Sequence, residues 1–550
     1  MKTSRKNKLV VPLLILLISF TAYARSNDDP LKILFSTQMD IAPDGEPRIA
    51  VGIMEGQESI SITAESGITA IIYGEVEKEL NVPPNTTLSF SLEKPTPALV
   101  EYFPILASIN WGKRKEREEA IKEWLKRNIQ TEVVTVGAIN GFKGIVLDNR
   151  LWLLLAKGNG NLEWAESFAE KLFKDFGIRA TIHESLKERP SATVKIGDAK
   201  GRLAESKDLV LLKTRDNAPF IVSPPSQTMN RGWEDGKERT FAGEMIVTVD
   251  KMGKLTAVNL LSLSRYLAGV VPAETYATAP FEALKAQAVA ARGYILSHIG
   301  QNHLADPYHL CADTRCQVYK GISGENPTTT KAVNETRGEI LFLNNKPVMS
   351  TYSANAGGYS ENNETVWLQA PQEALRAVPD LIAKNRADIP PGKSEAALRR
   401  FLDSPPQFFP QIAPVGRKEL NRWKRSYSAD ELQKFLEPFN LGKLKNISVT
   451  GRGTGGRVKG LKFTGENGSR VILYELTVRK LLGDLPSGLF YMDIERGEGG
   501  LISAVTITGG GWGHGVGMCQ TGAIGRAYSG QDYKTILSHY YNNAKIVKLY

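Results

Sequence analysis

An alanine-rich run of helix-forming residues, from Pro280 to about residue 299, constrains the fold of this chain more than any other segment. Pro280 suits the first turn of a helix, where its missing N–H would have no partner, and Glu282 complements the positive helix end. Apolar side chains recur at intervals of three and four residues, which predicts one apolar helix face. These side chains are Phe281, Leu284, Ala288, Ala291, Ile295 and Ile299. The run therefore predicts a helix that packs against a core.

The segment directly before this helix places a carboxylate beside an apolar stretch. The apolar stretch ends at Pro272, and Glu274 follows two residues later in what the pattern predicts to be a loop. Partial burial raises the pKa of a carboxyl group, which suits general acid–base catalysis. From the pattern alone, a surface or capping glutamate is the alternative interpretation.

The residues from Tyr266 to Tyr294 closely resemble the signature of the stage II sporulation protein D family, which includes the amidase-enhancer proteins. Members of this family carry a Val-Pro-x-Glu segment followed by a helix with the sequence EALKAQAVAAR. Three further blocks agree with the family in the same order. They are CADTRCQVY at 311–319, SANAGGYSE at 353–361 and GWGHGVGMCQTGA at 511–523. The resemblance covers roughly Phe241 to Tyr550 and not the N-terminal part.

The resemblance implies a peptidoglycan lytic transglycosylase in which Glu274 is the catalytic acid and base. Glycosidic cleavage usually needs two carboxylates. A lytic transglycosylase uses one glutamate, which protonates the leaving oxygen and then deprotonates the muramic acid C6 hydroxyl as it attacks C1, leaving a 1,6-anhydro end. A single strong glutamate candidate agrees with that route. The expected substrate is a glycan strand stripped of its peptides.

Two other classes of function stay open at this point. The first is non-enzymatic, because the amidase-enhancer branch of the family is thought to stimulate a cell-wall amidase as its binding partner. The second is a purely structural protein that binds the cell wall. The presence of Glu274 together with Arg292 and Tyr359 favours the enzyme.

Four residues are predicted to bind the substrate. Arg292 would hold the charge of the Glu274 carboxylate or pair with the lactyl carboxylate of a peptide-free muramic acid, with a solvent-facing arginine as the alternative. Tyr359 follows two glycines that allow close approach of a sugar, although a core tyrosine also fits. His514 and Gln520 lie in or after a stretch with six glycines in nine residues, which predicts a tight loop beside the cleft. Both are expected to be supporting groups, and His514 is alternatively a zinc ligand.

Two of the three cysteines, Cys311 and Cys316, are close in sequence and are expected to share one site. They form either a disulfide, which an exported protein permits, or part of a metal site. Their spacing with His309 is only weakly typical of zinc. The family resemblance favours a structural zinc, with His309 and His303 competing for the histidine position. Cys519 replaces a more usual serine and is expected to be buried without a role.

The first 24 residues predict a signal peptide. Four basic residues precede an apolar core from Val10 to Ala22, and Ala22-Tyr-Ala24 is a small-x-small cleavage site. The apolar run is short for a membrane span, so no span is expected after cleavage. The protein is therefore expected to be exported to the periplasm, cell envelope or extracellular space.

The charge of the chain suits an anionic partner. Removal of the four basic residues of the signal peptide lowers the formal net charge from +10 to +6. A mildly basic exported protein fits an anionic polymer of the cell envelope, while simple solubility is the alternative. Nucleic acid is not an expected partner, because the basic residues are spread along the chain.

The length and ordinary composition predict a multi-domain α+β protein. The expected units are a small β-rich domain at 25–110, an α+β module with a linker at 111–240, and a catalytic domain at 241–550 with a helical insertion at about 370–432. The strand–helix–strand order of the second unit faintly resembles a sporulation-related repeat that binds bare glycan, and a generic α+β module is the alternative. The glycines at 451–456 predict a hairpin turn.

Overall fold

The computed structural model describes residues 31–224, 233, 236–382, 390–414 and 420–550. The predicted signal peptide at 1–24 lies outside these ranges. Within them, no helix combines the length and the apolar character needed to cross a membrane.

The described residues form strands and helices along the whole chain. The strands are β1 (Asp40–Ile41), β2 (Pro47–Gln57), β3 (Ile60–Ala64), β4 (Ile68–Ile72), β5 (Lys78–Val82), β6 (Leu88–Thr96), β7 (Leu99–Asn110), β8 (Thr131–Val136), β9 (Ile139–Phe142), β10 (Ile145–Asp148), β11 (Leu151–Ala156), β12 (Ile182–Glu188), β13 (Ser191–Asp198), β14 (Gly201–Lys207), β15 (Leu209–Thr214), β16 (Phe220–Val222), β17 (Arg239–Phe241), β18 (Glu244–Val249), β19 (Leu255–Ser262), β20 (Leu310–Cys311), β21 (Glu339–Leu343), β22 (Lys346–Pro347), β23 (Tyr352–Ser353), β24 (Trp423–Ser428), β25 (Leu444–Arg452), β26 (Val458–Gly465), β27 (Gly468–Leu473), β28 (Phe490–Arg496), β29 (Ile502–Gly509), β30 (Met518–Cys519) and β31 (Lys545–Lys548).

The helices are α1 (Leu31–Leu34), α2 (Arg114–Lys126), α3 (Leu162–Phe176), α4 (Leu263–Glu274), α5 (Phe281–His298), α6 (Pro327–Glu335), α7 (Asn363–Val366), α8 (Glu395–Asp403), α9 (Phe409–Ile412), α10 (Ala429–Leu436), α11 (Glu475–Leu481), α12 (Gln520–Tyr528) and α13 (Tyr533–Tyr540). Strands and isolated bridges account for 38% of the described residues, and helices together with short 3-10 turns account for 27%. Almost all strand pairs in the described residues are antiparallel, with β2–β20 and β23–β30 as parallel exceptions. This composition confirms the predicted α+β class.

Two large sheets share one core. The first has the order β1-β2-β19-β18-β15-β4-β5, with β20 beside β2, and the second has the order β14-β13-β6-β3-β16-β17. Their buried side chains form one cluster that includes Val51, Phe90, Val194 and Val247. Because β2 pairs directly with β19, the predicted boundaries at residues 110 and 240 do not separate independently packed units.

The segment 191–222 belongs to the expected α+β module with a linker at 111–240, and it contains four strands, β13 to β16. Alternate residues of these strands are buried in the shared core, among them Ile196, Leu212 and Phe220. Pro219 is one of the turn-forming residues that indicated a boundary in this part of the chain, and it lies between β15 and β16. The prediction failed because short strands joined by tight turns are hard to distinguish from a linker by composition.

Residues 99–188 form a separate four-stranded sheet with the order β12-β7-β11-β8. Helices α2 and α3 cover one face, where Leu106, Trp124 and Leu172 are buried together. Helix α3 is the helix of the predicted strand–helix–strand unit. The opposite face carries Val136 and Leu153 and is turned towards Leu304, outside this segment. We call this segment the inserted sheet.

Helix α5 confirms the strongest prediction from the sequence, but its surroundings differ from the prediction. The helix is buried around almost its whole circumference and not along one face. Helices α6, α12 and α13 and strand β21 all pack against it. Its many alanines allow this, because a small side chain lets neighbouring backbones approach from several directions.

The C-terminal region adds small sheets and the predicted insertion. Strands β25–β27 and β24, β29 and β28 form two three-stranded sheets with a common core. The glycines at 451–456 lie at the turn of the β25–β26 hairpin, as predicted. In the insertion, α8 buries Leu398 and Phe401 against Leu489.

We expect Gly177→Ala to destabilise the contact between α3 and β27. Gly177 has φ +66°, and an added Cβ would lie 2.1 Å from the Val471 carbonyl oxygen. The left-handed backbone costs an alanine about 1–2 kcal/mol, and the overpacking adds about 1–3 kcal/mol. Gly144→Ala is the matched control, because Gly144 has φ +87° and nothing lies within 4 Å. Equal losses of unfolding free energy in the two variants, measured by denaturation, would contradict a tight contact.

Candidate active site around Glu274

Glu274 is the last residue of helix α4 and does not lie in a loop as predicted. The Ser262 hydroxyl caps the start of this helix by accepting a hydrogen bond from the Arg265 N–H at 3.3 Å. The helix ends because Thr275 has an extended backbone, with φ −140° and ψ 167°. A rigid and largely buried helix thus carries the carboxylate, which fixes the position of Glu274 more firmly than a loop would.

The Glu274 carboxyl group is half-buried, and burial dominates its electrostatics. Its Oε1 accepts a hydrogen bond from the Val318 N–H at 3.3 Å. Burial raises the pKa of Glu274, and the smaller effects of this bond and of the Tyr352 hydroxyl lower it. The net pKa is above the usual glutamate value. Glu274 therefore keeps its proton to a higher pH than a solvated glutamate, as a general acid must.

Gln520 anchors the backbone of Glu274. Its Nε2 donates a hydrogen bond to the Glu274 carbonyl oxygen at 2.8 Å and lies 3.2 Å from Gln287 Oε1. Gln520 is the first residue of α12 and Gln287 belongs to α5, so the end of α4 is fixed to two other helices. In the structure, the amide group of Gln520 thus positions the glutamate.

His514 has both ring nitrogens in hydrogen bonds within the protein. Nδ1 accepts from the Val516 N–H at 3.0 Å, so Nε2 carries the proton and donates it to the Tyr352 carbonyl oxygen at 2.9 Å. Burial, together with the nearby Arg457, lowers the pKa of His514 to about 3. The imidazole is therefore neutral. It fixes β23 to the glycine-rich loop, and the alternative prediction of a zinc ligand is wrong because neither nitrogen is available to a metal.

The loop around His514 requires glycine at two positions, because its backbone lies very close to other segments. Gly515 has φ +71°, and an added Cβ would lie 2.1 Å from the Arg457 guanidinium. Gly517 also has φ +71°, and its added Cβ would lie 2.2 Å from the Thr351 carbonyl oxygen. The backbone therefore approaches two other segments more closely than any side chain would permit.

Arg292 does not contact the candidate site. Its side chain is completely buried, and its guanidinium donates to the Glu339 carbonyl oxygen at 3.0 Å and to the Val333 carbonyl oxygen at 3.2 Å. Burial lowers the pKa of Arg292, partly offset by nearby acidic and phenolic groups. Arg292 joins α5 to α6 and β21, so the prediction that it binds the substrate is wrong, as is the solvent-facing alternative.

Tyr359 is a core residue, which is the alternative that its sequence context left open. It is 7% exposed and packs with Leu398, Phe401 and Leu489. Its carbonyl oxygen accepts a hydrogen bond from the Arg457 guanidinium at 3.1 Å. The predicted contact of Tyr359 with a sugar is therefore not supported, because its ring is covered by the insertion.

Cys311 and Cys316 come together with His303 and not with His309. The three ligand atoms lie within 4.8 Å of one another. His309 belongs to a different environment, where its Nδ1 accepts from the Ala50 N–H at 3.1 Å. The prediction of His309 is therefore wrong, because the turn after α5 brings His303 back to the cysteines.

The chemistry of this cluster fits a zinc ion. Two thiols and an imidazole are typical zinc ligands. His303 Nε2 lies 3.2 Å from Cys316 Sγ, while its Nδ1 lies 2.9 Å from Asp306 Oδ2. A carboxylate on the far nitrogen is the usual partner of a histidine that binds a metal. The cluster and Glu274 belong to one local structure, since the loop after Cys316 provides the Val318 N–H.

A cavity of about 450 Å³ adjoins Glu274. Aromatic residues make up much of its lining, among them Tyr294, Tyr352 and Trp367, and His298 and His514 also contribute. Glu274 is the one carboxylate among the described lining residues. This cavity can therefore receive a small polar group or a sugar beside a single acidic group.

Several of these lining residues were missed by the sequence analysis. Tyr294 lies in the recognised helix, and Tyr352 comes directly before the recognised block at 353–361, but neither was singled out. His298 is the last residue of α5, and its Nδ1 lies 2.7 Å from the Tyr294 carbonyl oxygen. The centres of the Trp367 and His514 rings lie 4.9 Å apart, and the rings are tilted by 51°. Proximity to the recognised blocks was the one signal that could have identified the two tyrosines.

Comparison with known proteins identifies the family. A family model described as Stage II sporulation protein matches residues 251–343, and one described as a domain of unknown function matches residues 361–517. Stage II sporulation protein D of Bacillus subtilis (strain 168) is 30% identical over 329 residues, which are 56% of this chain and 81% of that protein. The chain belongs to the stage II sporulation protein D family.

Two other relatives have similar identity to this chain but carry different names. An uncharacterized protein of Brachyspira hyodysenteriae (strain ATCC 49526 / WA1) is 32% identical over 294 residues, covering 53% of this chain and 68% of the relative. The protein named Amidase enhancer of Bacillus subtilis (strain 168) is 29% identical over 296 residues. That match covers 50% of this chain and 39% of the relative.

We expect Glu274→Gln to be more stable than the wild type at pH 8 and equally stable near pH 4. The raised pKa means that the folded protein holds this proton more tightly than the unfolded chain. The free energy of unfolding of the wild type therefore falls as pH rises above the usual glutamate range, and the neutral amide avoids this loss. Thermal midpoints at both pH values test this. Glu335→Gln, at an exposed position on α6, is the control, and an identical pH dependence in wild type and Glu274→Gln would contradict the raised pKa.

Proposed function

We propose that this protein is an exported lytic transglycosylase that cleaves peptide-stripped peptidoglycan strands, with Glu274 as its acid and base. One observation carries the proposal. A single carboxyl group with a raised pKa borders a sugar-sized cavity, and no second carboxylate occurs among the described residues that line it. Hydrolysis by the usual routes needs a second carboxylate about 5–9.5 Å away. A reaction that uses the substrate's own hydroxyl group does not.

The reaction consists of two proton transfers at one carboxyl group. Protonated Glu274 gives its proton to the glycosidic oxygen as the bond from that oxygen to C1 of the muramic acid breaks. The resulting carboxylate then takes the proton of the C6 hydroxyl as O6 bonds to C1. The products are a 1,6-anhydro-muramic acid end and a new sugar hydroxyl, and Glu274 is protonated again. No water is consumed.

The neighbours of Glu274 support both halves of this cycle. The Val318 N–H holds Oε1 and stabilises the carboxylate that forms after the first transfer. Burial favours the protonated form that begins the cycle. Gln520 fixes the backbone of Glu274, so the carboxyl group stays at one position relative to the sugar. Aromatic rings such as Trp367 offer flat surfaces of the kind that sugars stack on.

A non-enzymatic role is the second candidate. It is favoured by the similarity to a protein named Amidase enhancer, which this chain matches over 39% of that protein's length. In this role the protein would bind a cell-wall amidase and stimulate it. Glu274 would then not be needed for chemistry. The two candidate functions therefore predict opposite effects of replacing its carboxyl group.

We also propose that His303, Cys311 and Cys316 hold a structural zinc ion. Zinc would cross-link the segment after α5 to the loop that precedes Val318, and so would fix the N–H that contacts Glu274. Proton transfer by Glu274 needs no metal, and a site rich in thiolates is typically structural. A disulfide between Cys311 and Cys316 is the alternative, and it would hold the same loop.

We expect Glu274→Gln to lose cleavage by ~10²–10⁴-fold or more, because the amide cannot donate a proton. The substrate is purified glycan treated with an amidase, and mass spectrometry detects the 1,6-anhydro ends. Intact peptide-bearing wall should be cleaved far less, since the stem peptides would crowd the cavity. Wild-type activity should also fall as pH rises above the raised pKa of Glu274, because the acid then loses its proton.

The control for this experiment is Glu335→Gln, which should cleave like the wild type. Products with ordinary reducing ends would contradict the transglycosylase and indicate hydrolysis. Full activity of Glu274→Gln would contradict the enzymatic proposal. If the wild type, Glu274→Gln and Glu335→Gln all fail to cleave, the wild type and Glu274→Gln should be tested with a purified amidase. Stimulation of the amidase by both of these proteins would favour the enhancer role.

We expect about one zinc ion per chain by elemental analysis, lost in Cys311→Ser and in His303→Gln. Cys519→Ser is the matched control, because Cys519 is buried elsewhere and accepts hydrogen bonds from the Ala356 and Gly522 N–H groups. Removal of zinc should lower the thermal midpoint of the wild type and of Cys519→Ser. Absence of zinc with two fewer free thiols would show the disulfide, and absence of zinc with all thiols free would contradict both.

A further inference from the structure

The Glu274 cavity continues into a larger groove of about 960 Å³. The two spaces have common lining residues, which are Tyr294, His298, Met349, Trp367 and Gln369. A molecule that enters the cavity can therefore extend into the groove without leaving the protein surface. The groove is too large for one sugar and has the size needed for several.

One side of this groove is formed by the inserted sheet. Strands β7, β11 and β12 present the face that α2 and α3 leave uncovered, where Ile105 and Leu151 are partly exposed. The opposite side is formed by the end of α5, the segment 366–372 and helix α11. The inserted sheet is therefore part of the surface that leads to Glu274.

Hydrogen bonds hold the inserted sheet at the end of α5. The Asn149 side-chain amide donates to the carbonyl oxygens of Leu296 and Ile299 at 3.0 and 2.8 Å. The Gly137 N–H donates to the Gly300 carbonyl oxygen at 2.7 Å. These bonds join the sheet to the same helix that packs behind Glu274.

A second set of contacts holds the sheet on the other side of the groove. The Leu473 N–H donates to the Gly177 carbonyl oxygen at 3.0 Å, and the rings of Phe173 and Phe439 lie 5.2 Å apart. An isolated bridge joins Ser108 to Gln369 beside the cavity. The inserted sheet is thus fixed at both ends, and the groove is a stable part of the fold.

The groove has an excess of positive charge. Six lysines and arginines line it, against three carboxylates, which are Asp148, Glu184 and Asp306. Arg150 and Lys251 pair with these carboxylates. By contrast, in the described parts of the chain no carboxylate lies within ion-pair distance of Arg179, Lys346 or Lys480. The Lys346 Nζ donates one hydrogen bond to the Trp111 carbonyl oxygen at 2.7 Å, which leaves its other N–H groups for a ligand.

We propose that this groove binds the glycan strand beyond the sugar at Glu274, and that Arg179, Lys346 and Lys480 pair with its carboxylates. The inference rests on the proposed function, because it takes the substrate to be a strand with a free lactyl carboxylate on each muramic acid. Charge-assisted hydrogen bonds to such groups are stronger than neutral ones. The partly exposed Ile105 and Leu151 on the inserted sheet would contact the sugar faces, so the sheet serves as an additional substrate-binding surface.

Arg179→Gln combined with Lys480→Gln tests the proposal, because both side chains are exposed. Since the Arg179 guanidinium also lies 4.6 Å from the centre of the Phe173 ring, the thermal midpoint of this double variant must match that of the control before KM values are compared. For long amidase-treated strands, we expect KM to rise about tenfold, which corresponds to about 1.4 kcal/mol. The rise should shrink as the strand is shortened and as salt is added. Lys174→Gln combined with Lys434→Gln removes two exposed charges elsewhere and is the matched control. An equal KM for long strands in the test and control variants would overturn the proposal.

Binding measurements separate this inference from the proposed function. In the Glu274→Gln background, the affinity for long amidase-treated strands should fall about tenfold when Arg179 and Lys480 are replaced. Binding of uncharged chitin oligosaccharides should not change. If the wild type cleaves nothing but this loss of affinity is seen, the groove proposal stands and the enzyme proposal fails. If the variants lose stimulation of an amidase while glycan binding is unchanged, the groove proposal is overturned.

Discussion

The burial of helix α5 on nearly every side is the constraint on which the rest of the structure depends. Alanines let α6, α12, α13 and β21 approach it closely. Two of its buried polar side chains make hydrogen bonds inside the protein that organise the site. Gln287 meets Gln520, which in turn holds the Glu274 backbone, and Arg292 meets two backbone carbonyl oxygens. The helix recognised first in the sequence is thus the element that positions Glu274.

The raised pKa of Glu274 results from a balance between burial and hydrogen bonding. A carboxylate surrounded by several N–H donors would ionise easily, because each donor stabilises the charge. Glu274 has the Val318 N–H and the Tyr352 hydroxyl nearby, and burial outweighs them. The same loop carries Cys316, so whatever cross-links the cysteines also fixes one of the few donors. The acidity of the site and the cysteine cluster are therefore linked through one short segment.

The inserted sheet gives this chain a surface outside the matched family regions. The family models match residues 251–343 and 361–517, and the inserted sheet at 99–188 belongs to neither. Even so, its hydrogen bonds to the end of α5 and its contact with β27 make it one side of the groove at Glu274. In the proposed function, the family core would supply the chemistry and the inserted sheet would extend the surface that a long substrate meets.

The sequence by itself determined the α+β class, helix α5, helix α3 and the β25–β26 hairpin, because periodicity and turn residues are local signals. It also singled out Glu274 and the pair Cys311 and Cys316 as candidate site residues, because they lie in motifs that are contiguous in the chain. Only the tertiary structure decided which way side chains on those elements face and what meets them across long sequence distances. It placed Arg292 and Tyr359 in the core, brought His303 to the cysteines and paired β2 with β19. No local pattern contains that information, because each of these contacts depends on how distant segments pack.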